Sequence, residues 1–596
     1  MILVNHPRPD FRRTPFVDLT GVWKFKFDNE KADIASIKIF EHSDMDIKVP
    51  YPYQSELSGI GTEDEHDVVW YGRTFTVSSN DLDKYKTWLL KFGAVDYETQ
   101  IWLNGKLVGS HIGGYDSFSF DVSSIISKQN ELIIKVIDRH LDQPRGKQAE
   151  HGTTPKDIIY TRVTGIWQPV WIEPIAGKTY IDKFFLRTTL DGTLSIKAFI
   201  KGDITGPLTL DVSITHGAAR VNDFSFEVKN NTLEATESLD DVYLWSPDEP
   251  NLYDITLTLK KENTVLDEVK SYFGIREVRI KDDKILLNNK PIYLELVLDQ
   301  GYYPEGIYTP KCVTDFLKDL QAVQQLGFNG VRAHQKPPDP RYLYVADSLG
   351  ILVWEEMADW GMSLTKKNLQ TFLEQWKNII LRDFNHPSII TWVPLNERDE
   401  PSESAEAKEF VESVYDETKK IDPTRPVVDT SGWTHVKTDI FDVHDYIFSM
   451  HTGNAYKEIL LSSEDLWWPS EEESDSETVD PNSFDFALPG AYKHQPLVIS
   501  EFGGWGIEGQ KPIVKREVYA YAKVPDSFRL AMKYLDIVTA IATARNYCGF
   551  CYTQLYDVEG ELNGLMTYDR KWKVDPEKIR AANKKALAIW SKEKNE

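Results

Sequence analysis

Two glutamates stand where strand-like runs stop. In "TWVPLNERDEPS", residues 391–402, an apolar run breaks off at Asn396-Glu397 and a charge-rich loop follows. In "PLVISEFGGWG", residues 496–506, a second apolar run reaches Glu501 and gives way to glycines. Two carboxyl groups about 5–5.5 Å apart, one protonated and one ionised, are the pair that cleaves a glycosidic bond with retention. The acid protonates the departing oxygen, the carboxylate attacks the anomeric carbon, and water then opens the covalent glycosyl intermediate. A strand-end glutamate that serves only a turn or a helix cap has the same local sequence. The elements around the two residues must therefore decide.

From residue 277 onward, helix signals alternate with short apolar runs. "TPKCVTDFLKDLQAVQQLGFNG" places Thr309 and Pro310 ahead of Val313, Phe316, Leu317, Leu320 and Val323, and Gly327 follows. This predicts an amphipathic helix capped by Thr309, with Pro310 at its first position. "NLQTFLEQWKNIILRDFNHPS", "AKEFVESVYDETKKIDP" and "DSFRLAMKYLDIVTAIATARNY" carry the same periodicity. Between the helices lie "PIYLELVL", "FNGVRAH", "ILVWEEM", "IITWVPLNE", "PVVDT", "IFDVHDY", "PLVISEF" and "YCGFCYTQL". Runs this apolar suit a parallel sheet covered on both faces, and eight of them alternating with helices predict a (β/α)8 barrel. Glu397 then ends the fourth strand and Glu501 the seventh. Active sites of such barrels lie at the C-terminal strand ends, where these two side chains converge.

Residues 1–175 read as all-β, with recurring strand runs such as "VWYGRTFTV", "TWLLKFGAV" and "NELIIKVID". Asn104-Gly105 lies between two such runs, a strong hairpin signal. Residues 176–276 continue the alternation and predict a second, smaller sandwich. The chain has 596 residues and a net charge of −25, which argues against a nucleic acid or another polyanion as partner. Its start, "MILVNHPRPDFRR", lacks the pattern of a signal peptide, and no apolar run has membrane-spanning length. Three cysteines cannot build a disulfide framework, so a reducing cytoplasm is the expected compartment. Cys548 and Cys551 have CxxC spacing but sit in an apolar run without a second pair, and read as buried thiols. No metal cluster, phosphate loop or organic cofactor is expected. The expected partner is a small or oligomeric glycoside, and self-association is compatible with the chain.

"RDFNHPSIITWVPLNE" and "PLVISEFGGWG" resemble the acid/base and nucleophile signatures of glycoside hydrolase family 2, which includes β-galactosidases, β-glucuronidases and β-mannosidases. "GIREVRIKDDKILLNNKPIYLELV" is similar to the family's approach to the barrel, and "LTGVWKFKFD" and "TGIWQPVWIEP" to its sugar-binding sandwich. The resemblance covers essentially the whole chain and implies a jelly-roll-like sandwich, an immunoglobulin-like domain over 176–276 and the catalytic barrel over 277–596. It implies Glu397 as acid/base, Glu501 as nucleophile, Asn396 as a grip on the sugar 2-hydroxyl, and Arg332 as a brace for the nucleophile. The sequence after Arg332, "AHQKPP", departs from the family, leaving His334 and Lys336 as candidate contacts. Tyr446 could donate to the nucleophile, with His444 and Asp445 beside it. Asp299, Asp359, Trp360 and Trp505 end strands or open loops at the same mouth. Gln554 stands where many members place a sugar-stacking Trp.

Two further stretches bear on the sugar. Glucuronidases of the family grip the substrate carboxylate with an Asn and a Lys just before a Gly-led segment. Here "VEGELNGLMTYDRK" offers Glu561 and Asn563 and no Lys ahead of Gly564, with Lys571 and Lys573 spaced outside. A Glu beside a glucuronate repels it, which favours a neutral sugar. In "KDIIYTRVTGIW" the position where galactosidases and glucuronidases often send in an Asp is apolar, with Asp157 close by. The expected activity is that of a retaining, exo-acting β-glycosidase, foremost a β-galactosidase. The alternatives are a β-glucuronidase or another β-glycosidase of the family, a sugar transferase, and a non-catalytic carbohydrate-binding protein. The acidic stretch 463–486, with Trp467-Trp468, reads as a loop that either binds sugar or is solvated.

Overall fold

The computed structural model describes residues 5–28, 40, 45–446, 453–462, 492–544 and 547–593. The first domain is a sandwich of a four-stranded and a six-stranded antiparallel sheet. Its interior is filled by alternate residues of facing strands, among them Trp23, Phe25, Tyr71, Leu90, Ile101 and Ile134. The Asn104-Gly105 hairpin is present, with both residues at positive φ (52° and 75°), as a tight turn between right-twisted strands requires. The second domain packs a three-stranded sheet on a four-stranded one around Ile196, Leu210, Val212, Leu257 and their neighbours.

The barrel strands are β1 (Leu294–Asp299), β2 (Gly330–Ala333), β3 (Leu352–Glu356), β4 (Ile389–Val393, continued by Leu395–Asn396), β5 (Thr430–Ser431), β6 (Phe441–Asp445), β7 (Leu497–Gly503) and β8 (Tyr547–Thr553). Seven form one parallel sheet in the order β4-β3-β2-β1-β8-β7-β6. The remaining strand, β5, pairs with the end of β4, and the ring closes where Asp439 N donates to Val427 O and His444 N to Gly432 O.

The period-two pattern divides each strand between two layers. Leu294, Leu296, Leu298, Trp354, Val498 and Cys551 point inward, over a floor made by the hairpin strands Val278–Lys281 and Lys284–Leu287. Val297, Val331, Val353 and Ile389 face the helices. Cys548 and Cys551 are buried thiols of the inner layer, the first donating to Asp283 O. At the C-terminal ends the inward positions change from apolar to polar, which creates the site.

The first barrel helix, α1 (Val313–Leu326), ends as expected at Gly327, which has φ 79° and donates to Gln324 O and Val323 O. Its start differs. Cys312 is the N-cap and the Asp315 carboxylate accepts from its N–H, while Thr309 Oγ1 donates to Trp167 O at 2.6 Å. The Thr309 hydroxyl thus ties the loop after β1 to the first domain, and the helix begins one turn later. A second tie brings the first domain to the site. Gln143, Arg145 and Gly146 donate their N–H groups to Gly361 O, Trp360 O and Ala358 O in the loop after β3. Gly146 has φ 58°, and a Cβ there would lie 2.4 Å from Gln335 O, so only glycine permits this approach.

Candidate active site

Arg332 leaves β2 into the barrel with no solvent exposure. Nη1 donates to Glu501 Oε1 at 2.5 Å, and Nη2 donates to Asn396 Oδ1 at 2.5 Å and lies 2.9 Å from Glu356 Oε2. The fork of one guanidinium thus orders β3, β4 and β7 at once. The other oxygen of Glu501 accepts from Tyr446 Oη at 2.5 Å, and the phenol oxygen in turn accepts from Thr553 Oγ1. Burial alone would push the Glu501 carboxyl up. The charges of His444, Arg332 and His334 outweigh burial and hold it far below the ordinary carboxylate range. Burial, and then the Glu501 charge, push the Tyr446 phenol well above its usual value, so it remains a donor.

Glu397 ends β4 in the left-handed region, φ 50°, with its N–H donating to Ser431 O at 2.9 Å. This backbone turn, unusual outside glycine, aims the side chain across the mouth. Its carboxyl shares a 2.6 Å hydrogen bond with His444 Nδ1 and is 15% exposed, against 5% for Glu501. The ligand atoms of Glu397, His444 and Glu501 all lie within 4.8 Å of one another. These atoms are engaged by Arg332, Tyr446 and one another, and no cation is assigned to them. One oxygen of each carboxylate therefore comes within 4.8 Å of the other, nearer the about 5–5.5 Å of a retaining pair than the about 6.5–9.5 Å of an inverting one. Asn396, adjacent, is fixed through its Oδ1, while its buried Nδ2 has no partner among the described residues.

Several expected residues gather on this pair. His334 Nδ1 lies 3.0 Å from Glu356 and 3.9 Å from Glu501. Asp359 accepts from Asn396 N, Gln335 and Arg398, and burial raises its carboxyl to about 6. Arg398, in the loop behind Glu397, thereby clamps the end of β4 to the end of β3. Trp360 donates Nε1–H to Asn396 O at 3.0 Å. Gln554 belongs to a closed set of hydrogen bonds. Its Nε2 donates to Asn563 Oδ1, its Oε1 accepts from Gln300, Gln300 donates to Tyr160 Oη, and Tyr160 and Asn563 both donate to Glu561.

Three expected contacts are placed elsewhere. Both oxygens of Asp299 are taken, by Tyr556 Oη and Gly301 N on one side and Tyr342 Oη on the other. Trp505 has no exposure and packs against Phe502 and Tyr552 in the strand–helix core. Lys336 also turns away. It donates to Gly301 O and Tyr308 O against the rings of Trp167 and Tyr308, and burial lowers its ammonium to about 7. The stretch 463–486 lies outside the described residues.

Three residues at the site carry no local signal in the sequence. Tyr521 stacks on Tyr446 with centroids 3.8 Å apart and planes 2° from parallel. Tyr160 and Lys147 arrive from the first domain, Lys147 with its Nζ 4.0 Å over the Trp360 ring. Only a fold that sets the sandwich on the barrel mouth reveals the latter two.

Among the described residues no helix is long and apolar enough to cross a membrane. Three family models cover the chain: the sugar binding domain of glycosyl hydrolases family 2 over residues 16–171, glycosyl hydrolases family 2 over 179–276, and the family 2 TIM barrel domain over 278–585. A β-galactosidase of Thermoanaerobacter pseudethanolicus is 28% identical over 455 residues, 73% of this chain and 56% of that protein. A β-glucuronidase of Streptococcus agalactiae is 23% identical over 445 residues, 69% of this chain and 71% of that protein. The chain spans 56–61% of the length of two curated β-galactosidases it matches. A Bifidobacterium dentium β-glucuronidase complexed with coumarin-3-O-glucuronide shares the fold, with TM-score 0.77, 19% identity and 98% of each chain covered. An Eisenbergiella tayi β-galacturonidase bound to galacturonate does so with TM-score 0.73, 19% identity, and 98% of this chain and 99% of that one covered. By its three matched domains, in this order and over nearly its full length, the chain belongs to glycosyl hydrolases family 2.

Proposed function

We propose that the protein is a retaining, exo-acting β-glycosidase working through a covalent glycosyl-enzyme intermediate. The observation that carries this is the carboxylate pair. Glu501 is braced on both oxygens by groups that favour its ionised form, and an oxygen of Glu397 lies within 4.8 Å of it, the close spacing of a retaining pair. In the first step Glu501 attacks the anomeric carbon while Glu397 delivers a proton to the departing oxygen. In the second, Glu397 takes a proton from water, which displaces Glu501 from the sugar. The unpaired Nδ2 of Asn396 donates to the 2-hydroxyl. An acceptor alcohol in place of water would give transfer instead of hydrolysis.

For the sugar we favour a β-galactosidase acting on a neutral glycone. Glu561 is buried beside the pocket and hydrogen-bonded to Tyr160 and Asn563, where a uronate carboxylate would meet a like charge. Two relatives that carry the name β-galactosidase support the same reading. The second reading is a β-glucuronidase, supported by relatives and fold neighbours of that name. Nitrophenyl β-galactoside, β-glucuronide, β-mannoside and β-glucoside, with wild type, Glu501→Gln and Glu397→Ala, test both levels. Glu501→Gln should abolish turnover. Glu397→Ala should keep a slow reaction on good leaving groups and be rescued by azide as the β-glycosyl azide. Sugar binding without turnover of any glycoside would identify a carbohydrate-binding protein instead. A first product of inverted configuration would exclude the covalent route, and preference for the glucuronide would replace the galactoside.

A further inference from the structure

Lys147 is the cation of this pocket that the mechanism leaves unused. It is 6% exposed, and its ammonium has neither a hydrogen bond nor an ion pair among the described residues. It lies over the face of Trp360, 4.0 Å from the ring centroid, and that indole is itself pinned to Asn396 O. The backbone before it is locked to the loop after β3 by the N–H groups of Arg145 and Gly146, so the side chain is aimed rather than free. All three of its donors are left unused by the protein and can meet an oxygen acceptor in the pocket. Its charge acts on both Glu501 and Glu561, the nucleophile on one side and a carboxylate hydrogen-bonded to Tyr160 and Asn563 on the other. Glu561, whose oxygens already accept from Tyr160 and Asn563, still has lone pairs to receive a further donor.

We propose that Lys147, supplied by the first domain, is a specificity-determining residue that donates to one hydroxyl oxygen of the sugar while Glu561 accepts from a neighbouring hydroxyl. This rests on the reading of the site as a β-glycosidase for neutral sugars. The two opposite charges nearly cancel, so the pocket offers a donor and an acceptor for a diol rather than a net field for an anion. A uronate drawn to Lys147 would face Glu561 as well. The arrangement also gives the first domain a reason to sit on the barrel mouth, because without it the pocket lacks its only unpaired cation among the described residues.

The test is Lys147→Met, which keeps the stem against Trp360 and removes the charge, with Trp360→Phe as a variant that loosens the clamp and keeps the lysine. A hydrogen bond from a charged donor to substrate corresponds to a loss of about 10- to 150-fold in kcat/KM. The loss is expected on nitrophenyl β-galactoside and should vanish for the one monodeoxy galactoside that lacks the hydroxyl Lys147 reads. Trp360→Phe should show a smaller loss with the same pattern. Equal losses on every deoxy analogue would make Lys147 merely structural and overturn the proposal. A loss confined to uronides, in an enzyme that prefers them, would overturn it in favour of carboxylate recognition. Calorimetry of galactose on the Glu501→Gln protein, with and without Lys147→Met, separates binding from turnover. Wild type inactive on all glycosides would defeat the enzyme reading, whereas galactose affinity unchanged by Lys147→Met would defeat this one.

Discussion

Tyr446→Phe isolates one donor to Glu501, the nucleophile we propose. The phenol donates to Glu501 Oε2 at 2.5 Å, while Arg332 holds Oε1, so the variant leaves the carboxylate braced on one side only. Phenylalanine preserves the ring that stacks on Tyr521 at 3.8 Å, which keeps the perturbation electrostatic. A hydrogen bond to a charged group contributes about 1.5–3 kcal/mol net. At 1.36 kcal/mol per tenfold, kcat/KM should fall by about 10- to 150-fold if the bond is needed up to the transition state. The pH dependence gives a second readout. A donor to the ionised form lowers a carboxyl pKa, so its removal raises that of Glu501. Activity on the acid side is lost as pH falls through this pKa, so the acid limb must move to higher pH. His444, Arg332 and His334 still hold the group low, and the loss at neutral pH then reports the chemistry rather than protonation. The assay is kcat/KM on a dinitrophenyl β-galactoside, whose departure needs little acid help, followed from acid to neutral pH. An unchanged kcat/KM with an unmoved acid limb, in a variant of normal thermal stability, would refute the role given to Tyr446.

Arg332→Lys should reduce both stability and activity, because a point charge cannot span Glu501, Glu356 and Asn396 together. Removing one partner of a buried ion pair costs about 3–5 kcal/mol, which a lower urea midpoint would register. A midpoint and kcat equal to wild type would contradict the shared-fork geometry. Trp505→Ala should cost about 3–5 kcal/mol as a core truncation, with KM for the galactoside unchanged in the folded fraction. A raised KM at unchanged stability would instead place that indole in the sugar pocket.

Residues that could be read in advance share one physical property: strand periodicity fixes where they point. Arg332, Glu397, His444 and Glu501 lie at or just beyond the ends of strands whose inward positions are Leu, Trp, Val or Cys until the mouth is reached. The change from apolar to polar along one face is visible in sequence, and the strand count turns it into a ring of side chains. Asp299 obeys the same rule of position, yet its carboxylate is claimed by phenols 43 and 257 residues later in the chain. No local pattern announces that competition. Thr309 looked like a helix cap for the same reason, and its hydroxyl went to Trp167, 142 residues earlier. The face of Trp360 that a pyranose could have used is covered by Lys147, a residue from another domain in a loop with neither periodicity nor motif. Direction is thus encoded locally, but availability is not. A side chain at the mouth can meet substrate only if no distant donor or acceptor satisfies it first. By that criterion the unpartnered Asn396 Nδ2 and Lys147 Nζ are the donors we propose for the sugar, and both residues touch Trp360.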